Sequence, residues 1–222
     1  MLTDSSTLAT AVLLFLAAEV GLYVVLQAPN LALQRTGKFV LLMGIVVLPV
    51  AAIWVGGNHY YHEASQRTFC LSCHEMKPFG QSLLIDDPSA IPAAHFQNHM
   101  VPPKEACFTC HTNYGLFGTM RAKLTGMRHV WIHFFGKIPK TTDIKLYNPY
   151  PNANCLHCHK GMRLFESQPA HHTKDVPYER IVSGKQSCVA SGCHDFIHQV
   201  GDLKDLPMWD PNKPYTPKDA DQ

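Results

Sequence analysis

The sequence predicts a mainly α-helical protein in two parts: two N-terminal transmembrane helices, then a small helical or irregular domain organised around four covalently held groups. Two long apolar runs near the amino terminus predict the first part. The second rests on eight cysteines arranged as four pairs, each followed at once by a histidine, and on a shift near His59 to polar sequence rich in Pro, His, Asn and Lys.

The first run, Leu8 to Gln27, is apolar apart from Glu19, and the second, Phe39 to Gly56, is broken only by Gly44 and Pro49. Each approaches the ~20 residues that cross about 30 Å of hydrocarbon as helix. The anchor is therefore assigned to 1–57, with spans at about 8–27 and 38–57. A signal peptide would carry a positive leading segment, whereas this chain has Asp4, so the first run is expected to stay as a helix. Arg35 and Lys38 place the loop between the runs on the cytoplasmic side and both termini outside. Trp54, Tyr60 and Tyr61 mark the outer end of the second helix, and Tyr23 fits an interfacial belt of the first. Glu19 is costly at membrane depth, which makes it a candidate for proton exchange or for contact with another subunit; the plainer reading is a neutral carboxyl bonded to the neighbouring helix.

The four pairs are Cys70/Cys73 with His74, Cys107/Cys110 with His111, Cys155/Cys158 with His159, and the expanded Cys188/Cys193 with His194. Two thiols followed by a histidine is the pattern of covalent c-type haem attachment, the thiols forming thioethers and the histidine reaching the iron. A zinc site uses close cysteine pairs too, but gives no reason for a histidine after every pair. Disulfides across two residues would close tight loops that staple little chain. The expected cofactors are four covalently bound haem c groups, attached on the oxidising side of a bacterial inner membrane. That compartment agrees with the orientation read from Arg35 and Lys38.

Residues 58–200 form the expected periplasmic domain, too short for a large side-chain core around four porphyrins, so the haems would supply much of the interior. Short helices are expected near each pair. Gly115 to Phe135 reads as the longest helical stretch, ended by Pro139. Tyr147 to Asn152 reads as a loop, and 201–222 as an extended tail that wraps the surface or meets a partner. The formal charge of +2 says nothing about partners, and no nucleic acid is expected.

Four hexacoordinate haems need eight axial ligands. His74, His111, His159 and His194 supply four, and the rest are sought among His59, His62, His95, His99, His129, His133, His157, His171, His172 and His198. His157 lies between paired cysteines and is badly placed for its own iron. The distal choices are His95, His129 and one of His171 and His172.

With these pieces in order, Phe69-Cys-Leu-Ser-Cys-His-Glu-Met-Lys77, His95-Phe-Gln-Asn98, Gly126-Met-Arg-His129 and Cys193-His194 followed by His198, the chain resembles the membrane-anchored tetrahaem quinol dehydrogenases of the NapC/NirT cytochrome family. The resemblance covers about residues 38 to 200. It implies electron transfer from menaquinol or ubiquinol to a periplasmic oxidoreductase or cytochrome c, with the membrane quinone pool as a partner. It also implies that Met76 is an alternative to His74 at the first haem, and it matches His95 and His129 to ligand positions. The nitrite-reductase relatives carry an acid where this chain has Thr125. Proton acceptance would then move to nearby groups, with Lys77, Arg121, Lys123, His62 and Glu63 as candidates, and Thr125 stands with Lys77, Arg121 and Lys123 in the implied catalytic site. An extra amino-terminal span is the other departure, and it could pack against a further membrane subunit or complete a quinone pocket.

Alternative readings are a quinone-reducing relay for a periplasmic dehydrogenase, and a haem-bearing electron-transfer subunit of a larger complex with no quinone site of its own. Two spans disfavour a water-soluble shuttle. A terminal reductase would need an open distal site with substrate-binding groups, and none is evident. The topology gives a direct test: alkaline phosphatase fused after Gln222 should be active in cells, and green fluorescent protein fused there should stay dark. A reporter placed in the loop before Arg35 should give the opposite pattern.

Overall fold

The computed structural model describes residues 5–26, 30, 33–189, 192–195 and 197–212. Gln27, the expected end of the first span, and the tail beyond Asn212 lie outside the described residues. The chain divides into two compact units, Met1–Ser65 and Gln66–Gln222.

In the first unit, helix α1 spans Ser5–Leu26. A second continuous helix of 29 residues runs from Arg35 to Glu63. It comprises α2 (Arg35–Leu41), a π-helical stretch (Leu42–Val47) and α3 (Leu48–Glu63). At 1.5 Å per residue both are long enough to cross about 30 Å of hydrocarbon. The π stretch has a local cause. Pro49 has no N–H to give to the carbonyl four residues back, and its ring crowds that carbonyl, so the preceding turn widens. Gly44 in this stretch and Gly56 in α3 are buried, packed against Val20 and Thr10 of α1. Small residues let two helices approach where lipid offers no hydrophobic drive to bring them together.

The second unit is a succession of short helices: α4 (Arg67–Cys70), α5 (Lys77–Gln81), α6 (Ile91–Gln97), α7 (Ala106–His111), α8 (Gly118–Phe135), α9 (Asn152–His159), α10 (Arg163–Glu166) and α11 (Tyr178–Val182). Turns of 3₁₀ helix at His74–Met76, Ser82–Leu84 and Pro169–His172 join some of them. The expected long helix begins three residues late, at Gly118, and ends at Phe135, before Pro139.

Its side-chain core is thin. Ile85, Ala90 and Ala93 form the buried cluster, with Leu203 and Leu206 packed on it, and Ile85 and Ser82 are the largest fully buried side chains. The part of the tail that is described closes this cluster instead of standing away from it. Asp86 N–H donates to Pro207 O at 2.9 Å, Trp209 N–H donates to Leu84 O at 2.6 Å, and Ile85 bridges Met208 in antiparallel fashion. Gln97 Nε2 donates to the carbonyls of Leu83 and Ile85, so backbone groups that no sheet would satisfy are bonded.

The close approach at Gly44 can be tested by thermal unfolding in detergent. A Cβ there would run into Val20 Cγ1, so Gly44→Leu should destabilise the anchor by about 1–3 kcal/mol. Gly57→Ala, where an added Cβ meets nothing within 4 Å, should be neutral or slightly stabilising.

Candidate functional site

The four cysteine segments are short pieces of chain that could not hold one another by apolar packing alone. Hydrogen bonds join them instead, one between backbone groups and the others between a few polar side chains and backbone. Arg67 N–H, at the start of the first segment, donates to Lys104 O just before the second at 2.6 Å. The Tyr150 hydroxyl donates to Cys110 O, and Asn154 Nδ2 donates to Thr112 O at 2.6 Å, joining the third segment to the second. Asn152 is buried at the start of α9. Its Nδ2 donates to the carbonyls of Ile181 at 2.8 Å and Gln186 at 2.6 Å, and its Oδ1 accepts Cys188 N–H at 3.0 Å, joining the third segment to the fourth.

Helices α4, α7 and α9 carry the first cysteines of three motifs. The fourth is a turn, with His194 N–H donating to Cys188 O at 3.1 Å. Gly192 in that turn has φ +74°, a conformation that side chains with a Cβ disfavour, and this explains a glycine within the expanded spacing.

None of the eight cysteines is in a disulfide. Those of adjacent segments lie close enough to perturb each other's titration, Cys70 with Cys107 and Cys155 with Cys188. Within each couple the interaction favours one thiolate, so Cys107 is lowered and Cys155 is lowered to about 7, while Cys70 and Cys188 are raised. Cys110 is raised by desolvation and by the nearby Cys155 and Cys158. The segments thus follow one another in space in chain order.

Each motif histidine faces one other histidine. Ring centroids lie 5.9 Å apart for His74 and His133, 5.9 Å for His95 and His159, 6.3 Å for His111 and His198, and 6.3 Å for His171 and His194. The non-motif member of each pair has its Nδ1 occupied. His95 Nδ1 lies 2.8 Å from Ile91 O, His133 Nδ1 lies 2.9 Å from Glu75 Oε1, and His171 Nδ1 lies 3.2 Å from Phe165 O. Carbonyls and carboxylates only accept, so these Nδ1 atoms carry the proton. For His198 the argument takes one more step. Ser82 Oγ lies 2.7 Å from both Phe79 O and His198 Nδ1, and its single proton goes to the carbonyl, so His198 Nδ1 is again the donor. Desolvation lowers the pKa of His111, His129 and His159, and that of His198 to about 4, which keeps these rings neutral near pH 7.

The other sequence candidates sit elsewhere. His129 rests against Tyr147, with centroids 4.8 Å apart. His172 stacks on Tyr178 at 5.2 Å and bonds Glu166 O. Met76 is half-buried on the same 3₁₀ turn as His74. His157 stacks on Tyr114 at 3.8 Å. Arg121, Lys123 and Thr125 share α8, where Thr125 Oγ1 donates to Arg121 O, and Lys77 opens α5. Lys123 Nζ lies 4.4 Å from the centroid of the Phe108 ring, and desolvation lowers its pKa. Glu75 accepts from His133 and lies 3.3 Å from His74 Nε2. A backbone hydrogen bond, followed by the His133 contact, holds its carboxyl below the usual range.

The sequence choice passed over His133 and His198. His129 and His133 are one helical turn apart, and only the packing of α8 determines which of them faces another histidine. The signal for His198 was its position just after Cys193-His194.

One expectation is corrected. Among the described residues no group of three or more His, Cys, Asp or Glu side chains is placed to hold a metal ion. This argues against the expected complement of four covalent haem c groups.

Two apolar helices long enough for a membrane, followed by a mainly helical unit that strings together four Cys–Cys–His segments, define a membrane-associated protein. Residues 31–202 match the model of the NapC/NirT cytochrome c family, N-terminal region, and the chain belongs to that family. It is 23% identical over 170 residues to the cytochrome c-type protein NapC of Paracoccus pantotrophus, covering 70% of this chain and 68% of that one. To the NapC of Haemophilus influenzae it is 21% identical over 164 residues, covering 68% and 76%. No solved structure matches the chain.

The dependence of segment order on Asn152 can be measured by chemical denaturation. Asn152→Ala removes three hydrogen bonds at a buried position and should destabilise the second unit by about 2–4 kcal/mol. Asn98→Ala, which removes one exposed bond to Ala94 O, should cost no more than about 1 kcal/mol.

Proposed function

We propose that this protein is a membrane-anchored electron carrier that oxidises menaquinol or ubiquinol and passes the electrons to a periplasmic reductase or cytochrome. The observation that carries the reading is the serial order of the four cysteine segments. Cys70 meets Cys107, Cys110 feels Cys155 and Cys158, and Cys155 meets Cys188. A relay must hold its redox groups in close succession, and the protein contributes their positions and surroundings. The family relationship supports the same reading.

Within this reading the cysteines bind the redox groups: Cys70, Cys73, Cys107, Cys110, Cys155, Cys158, Cys188 and Cys193. The facing histidines are assigned to hold and orient these groups, one pair to each segment. Fixed Nδ1 donors support the role, because a histidine ligand commonly gives its other N–H to a carbonyl or carboxylate. Met76 is the second candidate beside His74. Oxidation of quinol to quinone releases two electrons and two protons. Lys77, Arg121, Lys123 and Thr125 are assigned to receive and orient the quinol oxygens. Among them Lys123 suits proton acceptance, because desolvation favours its neutral amine.

The test is anaerobic oxidation of menaquinol and ubiquinol analogues by the protein in lipid, read from the ultraviolet absorbance of the quinone formed, with an artificial electron acceptor present. Saturable turnover, blocked by a quinone-site inhibitor, is expected. Lys123→Ala should slow it on the order of 10²-fold, as loss of a general base does. A protein that accepts electrons from dithionite but oxidises no quinol would overturn the proposal.

A further inference from the structure

Helix α8 turns two different faces outward and inward. Its inner side carries half-buried Ala122, Gly126 and His133, the last bonded to Glu75. On its outer side Met120, Leu124, Met127, Trp131 and Phe134 recur at alternating spacings of four and three, and they are 57%, 66%, 60%, 64% and 70% exposed. Residues so spaced share one face of a helix. An apolar stripe this continuous, ending in aromatic rings, is not the surface of a helix that faces water.

The charge around it narrows the occupant. Between Glu105 and Asp143 the chain has no carboxylate, but it has Arg121, Lys123, Arg128, Lys137 and Lys140. That stretch is formally +5 in a chain of net +2, so the rest carries −3. Arg121 and Arg128 flank the stripe on one side and Lys123 on the other, by the helical angle. The guanidinium of Arg128 lies 4.1 Å from the centroid of the Tyr147 ring, and Lys123 Nζ lies over Phe108, so both stems run along the surface. A second copy of this chain would bring cations against cations. A bilayer rich in anionic lipid satisfies the apolar stripe and its basic flanks together.

We infer that α8 is an interfacial helix, seated on the outer leaflet of an anionic membrane with Trp131 and Phe134 in the headgroup–acyl boundary. The second unit begins at Gln66, directly after the last residues of the membrane helix that ends at Glu63, so its attachment already holds it beside the bilayer. The inference needs membrane association only, and stands or falls independently of quinol oxidation.

The whole protein is placed in nanodiscs of phosphatidylcholine, with or without phosphatidylglycerol, doped with a phospholipid that forms a carbene high on its acyl chain. Lipid adducts are then mapped by mass spectrometry. Adducts on residues 120–135 are expected besides those on the two spans, rising several-fold with phosphatidylglycerol. Trp131→Glu with Phe134→Glu should lower the α8 adducts at least about five-fold and leave those on α1 unchanged. Arg121→Gln with Arg128→Gln should keep the adducts and lose most of their dependence on anionic lipid. Adducts confined to the spans in both mixtures would overturn the proposal, as would a protein neighbour captured on this stripe in native membranes. Equal labelling with and without phosphatidylglycerol would overturn its electrostatic half.

Discussion

The second unit depends on polar side chains, buried or half-buried, that hold separate backbone segments in register. With a core little larger than Ile85, Ala90 and Ala93, apolar burial cannot fix the relative positions of four motif segments. Asn152, Asn154 and Tyr150 do so by hydrogen bonds to carbonyls and amides of other segments. Such bonds are directional. They set distance and orientation together, which a relay requires, whereas apolar contact tolerates sliding. Leaving any of these backbone groups unpaired would cost more than the bond itself contributes.

The anchor solves the opposite problem. There nearly every side chain is apolar and lipid competes equally for all of them, so association of the two helices relies on shape. Gly44 and Gly56 supply it by letting Val20 and Thr10 approach the backbone. The widened π turn ahead of Pro49 lies in the same stretch as Gly44, so the proline that disturbs the helix sits one turn from the contact that pairs it with α1.

Paired histidines connect these two regimes to chemistry. Each non-motif ring is oriented by an acceptor from a different source: the preceding helical turn for His95, a carboxylate for His133, the Phe165 carbonyl of α10 for His171 and a serine relay for His198. Four unrelated contacts produce the same tautomer. The shared feature is therefore an Nδ1 held by an acceptor, which fixes the ring and leaves Nε2 out of that bond.

The sequence alone determined what depends on local order. Run lengths gave the two membrane-length helices, because hydrocarbon thickness sets a residue count. The cysteine–histidine spacing located the four motif segments, and the helix through Gly126 and His129 was read nearly to its ends. Family membership was legible from the same motifs. Tertiary structure decided what depends on distant chain meeting: that His133 and not His129 faces His74, that His171 and not His172 faces His194, and that residues 203–209 close a core instead of trailing. It also corrected the cofactor expectation, since among the described residues no three His, Cys, Asp or Glu side chains are placed to hold a metal ion. Neighbouring histidines carry identical chemistry, and spacing within a helix or a turn cannot choose between them. The packing of the rest of the chain against that helix or turn makes the choice.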